Sequence, residues 1–238
     1  MAVRWNGVAV LEREDAVSGA RTLIAIHSER LGPATGGTRM AVYPDRDAAL
    51  DDAMRLAEGM TYKWAAAGFP RGGGKAVVAL PPDFRAEDRP GLLRRYGAFI
   101  QELGGRFWTG PDVGTSAEDM DVIAEEGAPY VFSRTQSRGG AGGSGTWTAI
   151  GVAASMETVC ERLFGSRSLA GQRILIQGAG SVGAPLIEIL ASTGAKLAFA
   201  DVSPAAVRRF GDEMGLERVA AEGVFGQPCD LFAPCAFG

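Results

Sequence analysis

The chain has 238 residues, 46% of them hydrophobic, and this length allows one large domain or two smaller ones. Its formal net charge of -4 and the scatter of its basic residues argue against a nucleic-acid partner and favour a small-molecule substrate. No apolar stretch approaches the roughly 20 residues that span a bilayer, and the first residues lack the apolar core of a signal peptide, so we expect a cytoplasmic protein.

Hydrophobic periodicity in the first part of the chain predicts strands that alternate with helices, as in an α/β domain. Residues 8–27 contain two apolar runs around a polar turn and are predicted to form a β-hairpin. The glycine-rich stretch 32–37 interrupts the pattern and is interpreted as a turn. Asp45 is a predicted N-cap for a helix that runs to Met60. The remaining elements are a strand over 76–80, a helix over 92–103, a strand over 106–109 and a helix after Ser116.

The most glycine-dense stretch, 138–145, cannot build a core by itself and is predicted to separate two domains, over 1–142 and 143–238. Beyond it the pattern predicts a helix followed by a βαβ unit. These elements are a helix over 147–164, a strand over 173–177, a helix over 182–192 and a strand over 196–200. The whole chain is therefore predicted to be α/β.

A G-x-G-x-x-G motif follows the predicted strand 173–177 and opens the next helix. It consists of Gly178, Gly180 and Gly183, with Ser181 and Val182 between the last two glycines. The glycines permit a tight turn, close approach of a pyrophosphate and close packing of helix on strand. Asp201 ends the next strand, where a carboxylate binds a ribose 2′-hydroxyl and repels a 2′-phosphate. The motif predicts NAD as cofactor; a glycine turn in another kind of α/β protein is the alternative.

Two lysines lie close together in the first half of the chain. Lys75 directly follows three glycines, where a small substrate can approach bare backbone, and Lys63 lies in the apolar context 60–68. A lysine that is desolvated or near a second cation can have its pKa lowered and act as a base. We therefore interpret Lys63 and Lys75 as a candidate pair, against the alternative that each is a solvated surface residue.

Asp112 lies in a Gly-Pro loop at the end of a predicted strand. Such a carboxylate often does no more than stabilise its own turn, but the end of a strand is also where α/β proteins place their chemistry. Asp112 is therefore a candidate catalytic carboxylate.

Cysteine and histidine are scarce. Cys160, Cys229 and Cys235 have neither C-x-x-C spacing nor a nearby histidine, so we expect buried thiols rather than zinc ligands or disulfides. The single histidine, His27, lies in an apolar run and is interpreted as a strand residue rather than a catalyst. Acid–base chemistry therefore falls on Lys, Asp, Glu or Tyr.

Together these segments resemble the glutamate/leucine/phenylalanine/valine dehydrogenase family, most closely its actinobacterial phenylalanine dehydrogenases. The matching segments occur in family order and are 31–39, 59–63, 72–75, 109–112, 178–183 and 229–236. The resemblance implies a Rossmann dinucleotide-binding domain at 143–238, C-terminally incomplete. It also implies an N-terminal α/β domain at 1–142 that carries the substrate and catalytic residues and joins the subunits of a homo-oligomer.

By that resemblance the reaction is NAD-dependent oxidative deamination of a hydrophobic L-amino acid to the 2-oxo acid and ammonia, with no metal. Lys63 would bind the substrate carboxylate, Lys75 would activate water, and Asp112 would shuttle protons. The residues that would line the substrate side are Gly36, Gly37 and Met60. Thr148 would contact the nicotinamide amide.

The chain departs from the family pattern in three places. Phe132 stands where many relatives have Thr, and Trp64 follows the carboxylate-binding lysine where a smaller or polar residue is common. Family members also continue well past the segment 229–236, so we expect a chain that ends at Gly238 to be a fragment or a shortened form.

Three interpretations stay open on the sequence. The first is an active amino acid dehydrogenase, which Lys63, Lys75 and Asp112 favour. The second is a catalytically inactive NAD-binding relative that acts as a binding or regulatory module. The third is another oxidoreductase, such as a 2-hydroxy acid dehydrogenase or a malic-type enzyme, but the histidine and metal-ligand clusters that these use are missing from the sequence.

Overall fold

A computed structural model describes residues 5–236 of the chain, which divides into two compact units, 1–143 and 144–238. The boundary between them falls within the glycine-dense stretch. Over the range that the structure describes, no helix combines the length and apolar character that a bilayer crossing requires.

The N-terminal unit is a five-stranded sheet covered by helices on both faces. Its elements in chain order are β1 (Ala9–Glu14), β2 (Arg21–Ser28), β3 (Ala34–Val42), α1 (Arg46–Ala66), β4 (Gly72–Leu80), α2 (Arg89–Glu102), β5 (Phe107–Pro111) and α3 (Ala117–Gly127). The strand order is β1-β2-β4-β3-β5, with β3 parallel to both β4 and β5. These three strands therefore run in the same direction, and β5 ends level with Thr38 in the middle of β3.

Alternate residues of the central strands fill a core on each face of this sheet. Ile24 and Val78 pack with α2 and α3, whereas Leu23 and Val77 pack against α1. The buried face of α1 is built from small residues, since it consists of Ala49, Ala53, Met54 and Ala57. Small side chains let the helix lie close to the sheet, which brings its C-terminal turns near the glycine-rich parts of β3 and β4.

The C-terminal unit is a four-stranded parallel sheet of order β8-β7-β6-β9. Its elements are α4 (Gly145–Phe164), β6 (Arg173–Gln177), α5 (Gly183–Ala191), β7 (Lys196–Ala200), α6 (Pro204–Ala206) continued by a π-helical segment (Val207–Glu213), β8 (Glu217–Arg218) and β9 (Leu231–Pro234). Short 3-10 turns lie at Ala86–Asp88 and Gln136–Arg138 in the N-terminal unit and at Ala221–Gly226 in the C-terminal unit. The predicted βαβ unit is confirmed, and both of its strands have the predicted bounds.

Two features of the N-terminal unit differ from the sequence prediction. The stretch 32–37 is not a turn, because Gly36 and Gly37 lie inside β3 in the middle of the sheet. The helix that begins after the predicted N-cap Asp45 continues six residues past Met60. In its last turns Met60 and Thr61 lie over glycine positions of β3 and β4, so hydrophobic periodicity reveals this part of the helix poorly.

The cysteine prediction is correct in part. All three thiols are free, as expected, but only Cys160 is buried, whereas Cys229 and Cys235 are half-buried. His27 lies in β2, as expected, and its ring nitrogens lie 2.8 Å from Thr61 Oγ1 and 3.0 Å from Asn6 Oδ1.

Candidate functional site

A buried ion pair joins β4 and β5 across β3, the strand that lies between them. Lys75 lies on β4 and is only 4% exposed, Asp112 directly follows β5, and Lys75 Nζ lies 3.0 Å from Asp112 Oδ1. Because β3 separates these strands, two strand spacings of about 4.8 Å lie between their backbones. The side chains can meet only above a residue of β3 that leaves room for them.

Gly37 is that residue. It pairs with Gly110 of β5, and a Cβ added to Gly37 would lie 2.9 Å from Asp112 Cβ and 2.6 Å from the carbonyl oxygen of Pro111. Any side chain at position 37 would therefore displace the carboxylate. The absence of a side chain lets Asp112 reach Lys75.

Gly36 lies one residue earlier and faces α1. A Cβ added there would lie 1.8 Å from the carbonyl oxygen of Gly74 and 3.3 Å from Met60 Cγ. Met60 on α1 thus lies directly over bare strand backbone. Gly36, Gly37 and Met60, all predicted to line the substrate side, therefore lie on and over β3, the strand above which Lys75 and Asp112 meet.

The sequence analysis missed Arg39, a third charged residue of this cluster. Its Nε donates to Asp112 Oδ2 over 2.9 Å, and its Nη1 donates to Asp52 Oδ2 over 2.8 Å. Arg39 lies within the matched segment 31–39, two residues after Gly37 on the strand, where alternation places both residues on one face. That alternation becomes informative only once 34–42 is known to be a strand.

Burial and neighbouring charges shift both members of the central pair. Burial is the largest effect on Lys75 and lowers its pKa, Asp112 opposes this change in part, and the charge of Arg39 adds to it. Burial also disfavours ionised Asp112, but the charge of Lys75 and the hydrogen bond from Arg39 outweigh it and hold the pKa of Asp112 below its usual range. Arg39 is therefore a second cation beside Lys75.

Lys63 lies in the last turn of α1 and is exposed, contrary to the expectation of a desolvated lysine. The turn that carries it is held on the sheet by its neighbours. Trp64 Nε1 donates to the carbonyl oxygen of Thr35 over 2.8 Å, and Thr61 lies so close to Gly73 that a Cβ there would be 1.9 Å from Thr61 Oγ1. Lys63 therefore projects an exposed ammonium from a fixed helix end.

Phe132 lies beside β5, the strand at the edge of the sheet next to β3. Its backbone N–H donates to the carbonyl oxygen of Thr109, and a Cβ added to Gly110 would lie 2.3 Å from its ring. The ring therefore covers the strand next to the one that carries Gly37.

In the C-terminal unit, the three glycines of the motif have different surroundings. Gly178 has a φ of 87°, which favours glycine, and a Cβ there would lie 2.6 Å from Ala236 N. A Cβ on Gly183 would lie 1.8 Å from the carbonyl oxygen of Gly178. Gly180 is exposed, and a Cβ there would meet nothing within 4 Å. Gly178 and Gly183 therefore allow close packing, and Gly180 leaves open space.

The N-terminus of α5 faces this turn. Val182 occupies the N-cap position and makes no side-chain cap hydrogen bond, and Ser181 before it is exposed. The first N–H groups of a helix have no partners inside the helix and lie at the positive end of its dipole. This turn can therefore bind an anion through backbone N–H groups.

Asp201 lies at the end of β7 beside the same turn. Its Oδ2 accepts from Ala179 N over 2.6 Å, and its Oδ1 accepts from Ser203 N over 2.7 Å. Each carboxylate oxygen has a further lone pair, so a ligand hydroxyl can still donate to it. Thr148, in the first turn of α4, is exposed and donates through Oγ1 to the carbonyl oxygen of Ser144 over 2.9 Å.

No metal site accompanies these residues: within 5–236, no group of three or more His, Cys, Asp or Glu side chains is arranged to hold a metal ion.

Two family models match the chain. Residues 6–128 match "Glu/Leu/Phe/Val dehydrogenase, dimerisation domain", and residues 139–211 match "Glutamate/Leucine/Phenylalanine/Valine dehydrogenase". The two matches together cover most of both units.

Comparison with individual proteins also finds amino acid dehydrogenases. The chain is 44% identical to the leucine dehydrogenase of Geobacillus stearothermophilus over 96% of its own length and 62% of that protein. It is 41% identical to the phenylalanine dehydrogenase of Lysinibacillus sphaericus, over 94% of its length and 59% of that protein. The crystal structure of L-tryptophan dehydrogenase from Nostoc punctiforme superposes with a TM-score of 0.70 at 35% identity, covering 97% of this chain and 64% of that one. The chain thus spans about three-fifths of the length of these proteins, and the identities do not single out the phenylalanine dehydrogenases.

Proposed function

The chain belongs to the glutamate/leucine/phenylalanine/valine dehydrogenase family, and on that premise we propose that it carries the catalytic residues of an NAD-dependent amino acid dehydrogenase. The reaction is the oxidative deamination of a hydrophobic L-amino acid to its 2-oxo acid and ammonia. The names of the similar leucine and phenylalanine dehydrogenases support this substrate class.

The observation that carries the proposal is the ion pair of Lys75 and Asp112 above Gly37. Burying two opposite charges is costly, and a hydrophobic pair of similar volume would stabilise a fold at least as well. A half-buried carboxylate beside a lysine of lowered pKa suits proton transfer.

The proposed roles follow the chemistry of the substrate. Lys63 binds the substrate carboxylate, and Met60, Gly36 and Gly37 form the surface along which the substrate lies. The ionised Asp112 takes a proton from the substrate ammonium, so that the nitrogen lone pair can form an imino group as hydride leaves the α-carbon. NAD, when bound, accepts that hydride.

Hydrolysis of the imino group uses the other member of the pair. The neutral amine of Lys75 takes a proton from the water molecule that adds to the imino carbon. Asp112 returns its proton to the nitrogen, which leaves as ammonia, the added hydroxyl gives its proton to the again ionised Asp112, and the 2-oxo acid remains. Because burial lowers the pKa of Lys75, its neutral form becomes available at a lower pH than in an exposed lysine, and activity rises toward alkaline pH.

The glycine turn of the C-terminal unit fits a dinucleotide. Gly180 and the uncapped start of α5 leave open space and N–H groups for a pyrophosphate, with Ser181 and Val182 in the turn. Asp201 keeps lone pairs for a ribose hydroxyl and a charge that opposes a 2′-phosphate, which favours NAD over NADP. We assign Thr148 to the nicotinamide amide.

We also propose a homo-oligomer joined through the N-terminal unit, because the family model matched there is described as a dimerisation domain. The cytoplasm is the proposed location, since all three cysteines are free, as is usual in a reducing compartment.

The test is an assay of NAD reduction, followed by the absorbance of the reduced nicotinamide, with L-Phe, L-Leu, L-Val and L-Glu at alkaline pH. Turnover with the first three and little with L-Glu is expected. Absence of turnover with all four would contradict the proposal. NAD binding without turnover would instead identify a binding module.

A further inference from the structure

Arg39 bridges two carboxylates that come from opposite sides of the cluster. Asp112 follows β5 and Asp52 lies on α1, and Arg39 donates to one oxygen of each. Asp52 is itself held by Tyr43, whose hydroxyl donates to Oδ2 over 2.8 Å, and by Arg55, which donates to Oδ1 over 2.6 Å. The Arg39 side chain is only 12% exposed, so these bonds are shielded from water.

The two oxygens of Asp112 therefore have different partners. Oδ2 accepts from Arg39, and Oδ1 lies 3.0 Å from the ammonium of Lys75. A carboxylate held at one oxygen by a guanidinium cannot rotate freely about its last side-chain bond, so the same oxygen always faces Lys75. With Oδ2 occupied by Arg39, Oδ1 is the oxygen that is available to exchange protons with the substrate.

We propose that Arg39 and Asp52 are positioning residues that hold Asp112 ionised, with one fixed oxygen turned toward Lys75. The inference rests on the acid–base function proposed above for Asp112. Arg39 does not itself need to contact the substrate, because it acts through Asp112.

The chemistry of the site explains why an arginine is suitable. When Lys75 gives up its proton, Asp112 loses the charge that faces it on β4, in a half-buried place where an unpaired carboxylate is unfavourable. A guanidinium stays protonated at the alkaline pH at which Lys75 becomes neutral. Arg39 therefore keeps Asp112 paired throughout the cycle, and Asp52 balances the charge of Arg39.

The charged and titratable groups around Asp112 come from four parts of the N-terminal unit. They are Arg39 on β3, Lys75 on β4, Asp52 and Arg55 on α1, and Tyr43 between β3 and α1. Burial and Asp52 together raise the pKa of Tyr43, so this hydroxyl stays neutral while Asp112 and Lys75 titrate.

Carbon-13 NMR of labelled aspartate carboxyl groups in the full chain, without substrate, measures the pKa of Asp112. Arg39→Met should raise it by about one unit, because the carboxylate loses a cation and a charged hydrogen bond. Arg39→Lys, which keeps the charge, should restore part of the shift. The control is Arg95→Met, which breaks the comparable ion pair with Asp15 far along the sheet and should leave Asp112 unchanged. An unchanged Asp112 in folded Arg39→Met would overturn the proposal.

The two variants Asp52→Asn and Asp52→Ala separate the positioning of Arg39 by Asp52 from the direct effect of the Asp52 charge on Asp112. Both remove a negative charge near Asp112, which by itself lowers the pKa of Asp112, but only alanine also removes the acceptor that holds Arg39. A pKa at least about half a unit higher in Asp52→Ala than in Asp52→Asn is expected. Equal pKa values of Asp112 in the two variants would overturn the positioning role assigned to Asp52. This pair also decides the matter if Arg39→Met does not fold.

The titrations need no turnover, so they can fail independently of the proposed function. Turnover is then measured against pH in the same variants. Arg39→Met should lower kcat more than it raises KM, because the carboxylate of Asp112 is no longer held at one oxygen. The limb of the kcat profile in which activity rises toward alkaline pH should move upward, because Arg39 no longer lowers the pKa of Lys75. An unchanged kcat, with the pKa of Asp112 shifted, would count against Asp112 as the proton carrier and leave the positioning of its carboxylate standing.

Discussion

The two units of this chain prepare their candidate sites in opposite ways. The N-terminal unit uses charged side chains that are buried and paired, whereas the C-terminal unit uses a glycine turn and backbone N–H groups with open space in front of them. In the described range, no buried side-chain nitrogen or oxygen lacks a hydrogen-bond partner. We therefore expect the N-terminal site to be sensitive to the removal of a charged side chain and the C-terminal site to be sensitive to the addition of a side chain.

The largest effect is expected from removal of Lys75. Lys75→Ala should reduce turnover by about a thousandfold or more, because the proposed base is lost, and should leave NAD affinity unchanged. Lys75→Met fills the same space without a charge and should lose as much turnover with better folding. Kinetics and NAD titration of both variants make the measurement. Loss of NAD binding would assign Lys75 to the cofactor site instead.

Two matched glycine substitutions test the second site. Gly183→Ala would place a Cβ 1.8 Å from a carbonyl oxygen and should destabilise the C-terminal unit by about 3 kcal/mol. Gly180→Ala meets nothing in the protein, so the free energy of unfolding should change by about 0.5 kcal/mol or less, while NAD binding weakens about tenfold or more. Chemical denaturation and NAD titration distinguish the two. Unchanged NAD affinity in Gly180→Ala would contradict the phosphate site.

A smaller effect concerns the choice of dinucleotide. Asp201→Asn removes the charge that opposes a 2′-phosphate and should shift the preference for NAD over NADP by about tenfold toward NADP. The KM values for both dinucleotides, in the chain and in the variant, give this ratio. A preference for NADP in the unmodified chain would refute the role of Asp201.

The smallest effect is the response of the N-terminal unit to acid. Arg95 and Ser18 hold the pKa of Asp15 at about 2, below its ordinary value of 3.8, against the effect of burial. The stability that this pair contributes is complete above the ordinary value and is lost as the pH falls toward about 2. It amounts to about 1 kcal/mol, because Arg95 is partly exposed and screened by water.

Hydrogen exchange near pH 5 and near pH 3 measures that loss in each unit separately. Asp15→Asn should remove part of the pH dependence of the N-terminal unit. If the variant showed the same pH dependence as the unmodified chain, Asp15 would not contribute to it.

Local sequence features were read correctly where the interaction is local. Asp45 caps α1 by accepting from Ala48 N, as predicted, and α3 begins directly after Ser116, as predicted. The βαβ unit was predicted because apolar strands, a glycine turn and an apolar helix follow one another directly. Such local patterns do not predict where the candidate site residues lie in the fold, and the roles of these residues stay predictions.

The sequence by itself determined the α/β class, the hairpin, the cap at Asp45 and the glycine turn, because each depends on neighbours along the chain. Only the tertiary structure decided that 34–42 is a central strand, since glycine carries no side chain from which a period of two could be recognised. The meeting of Lys75, Asp112 and Arg39 depends on β3 lying between β4 and β5. That order follows from the packing of the whole unit, and so does the burial that makes these charges suitable for proton transfer.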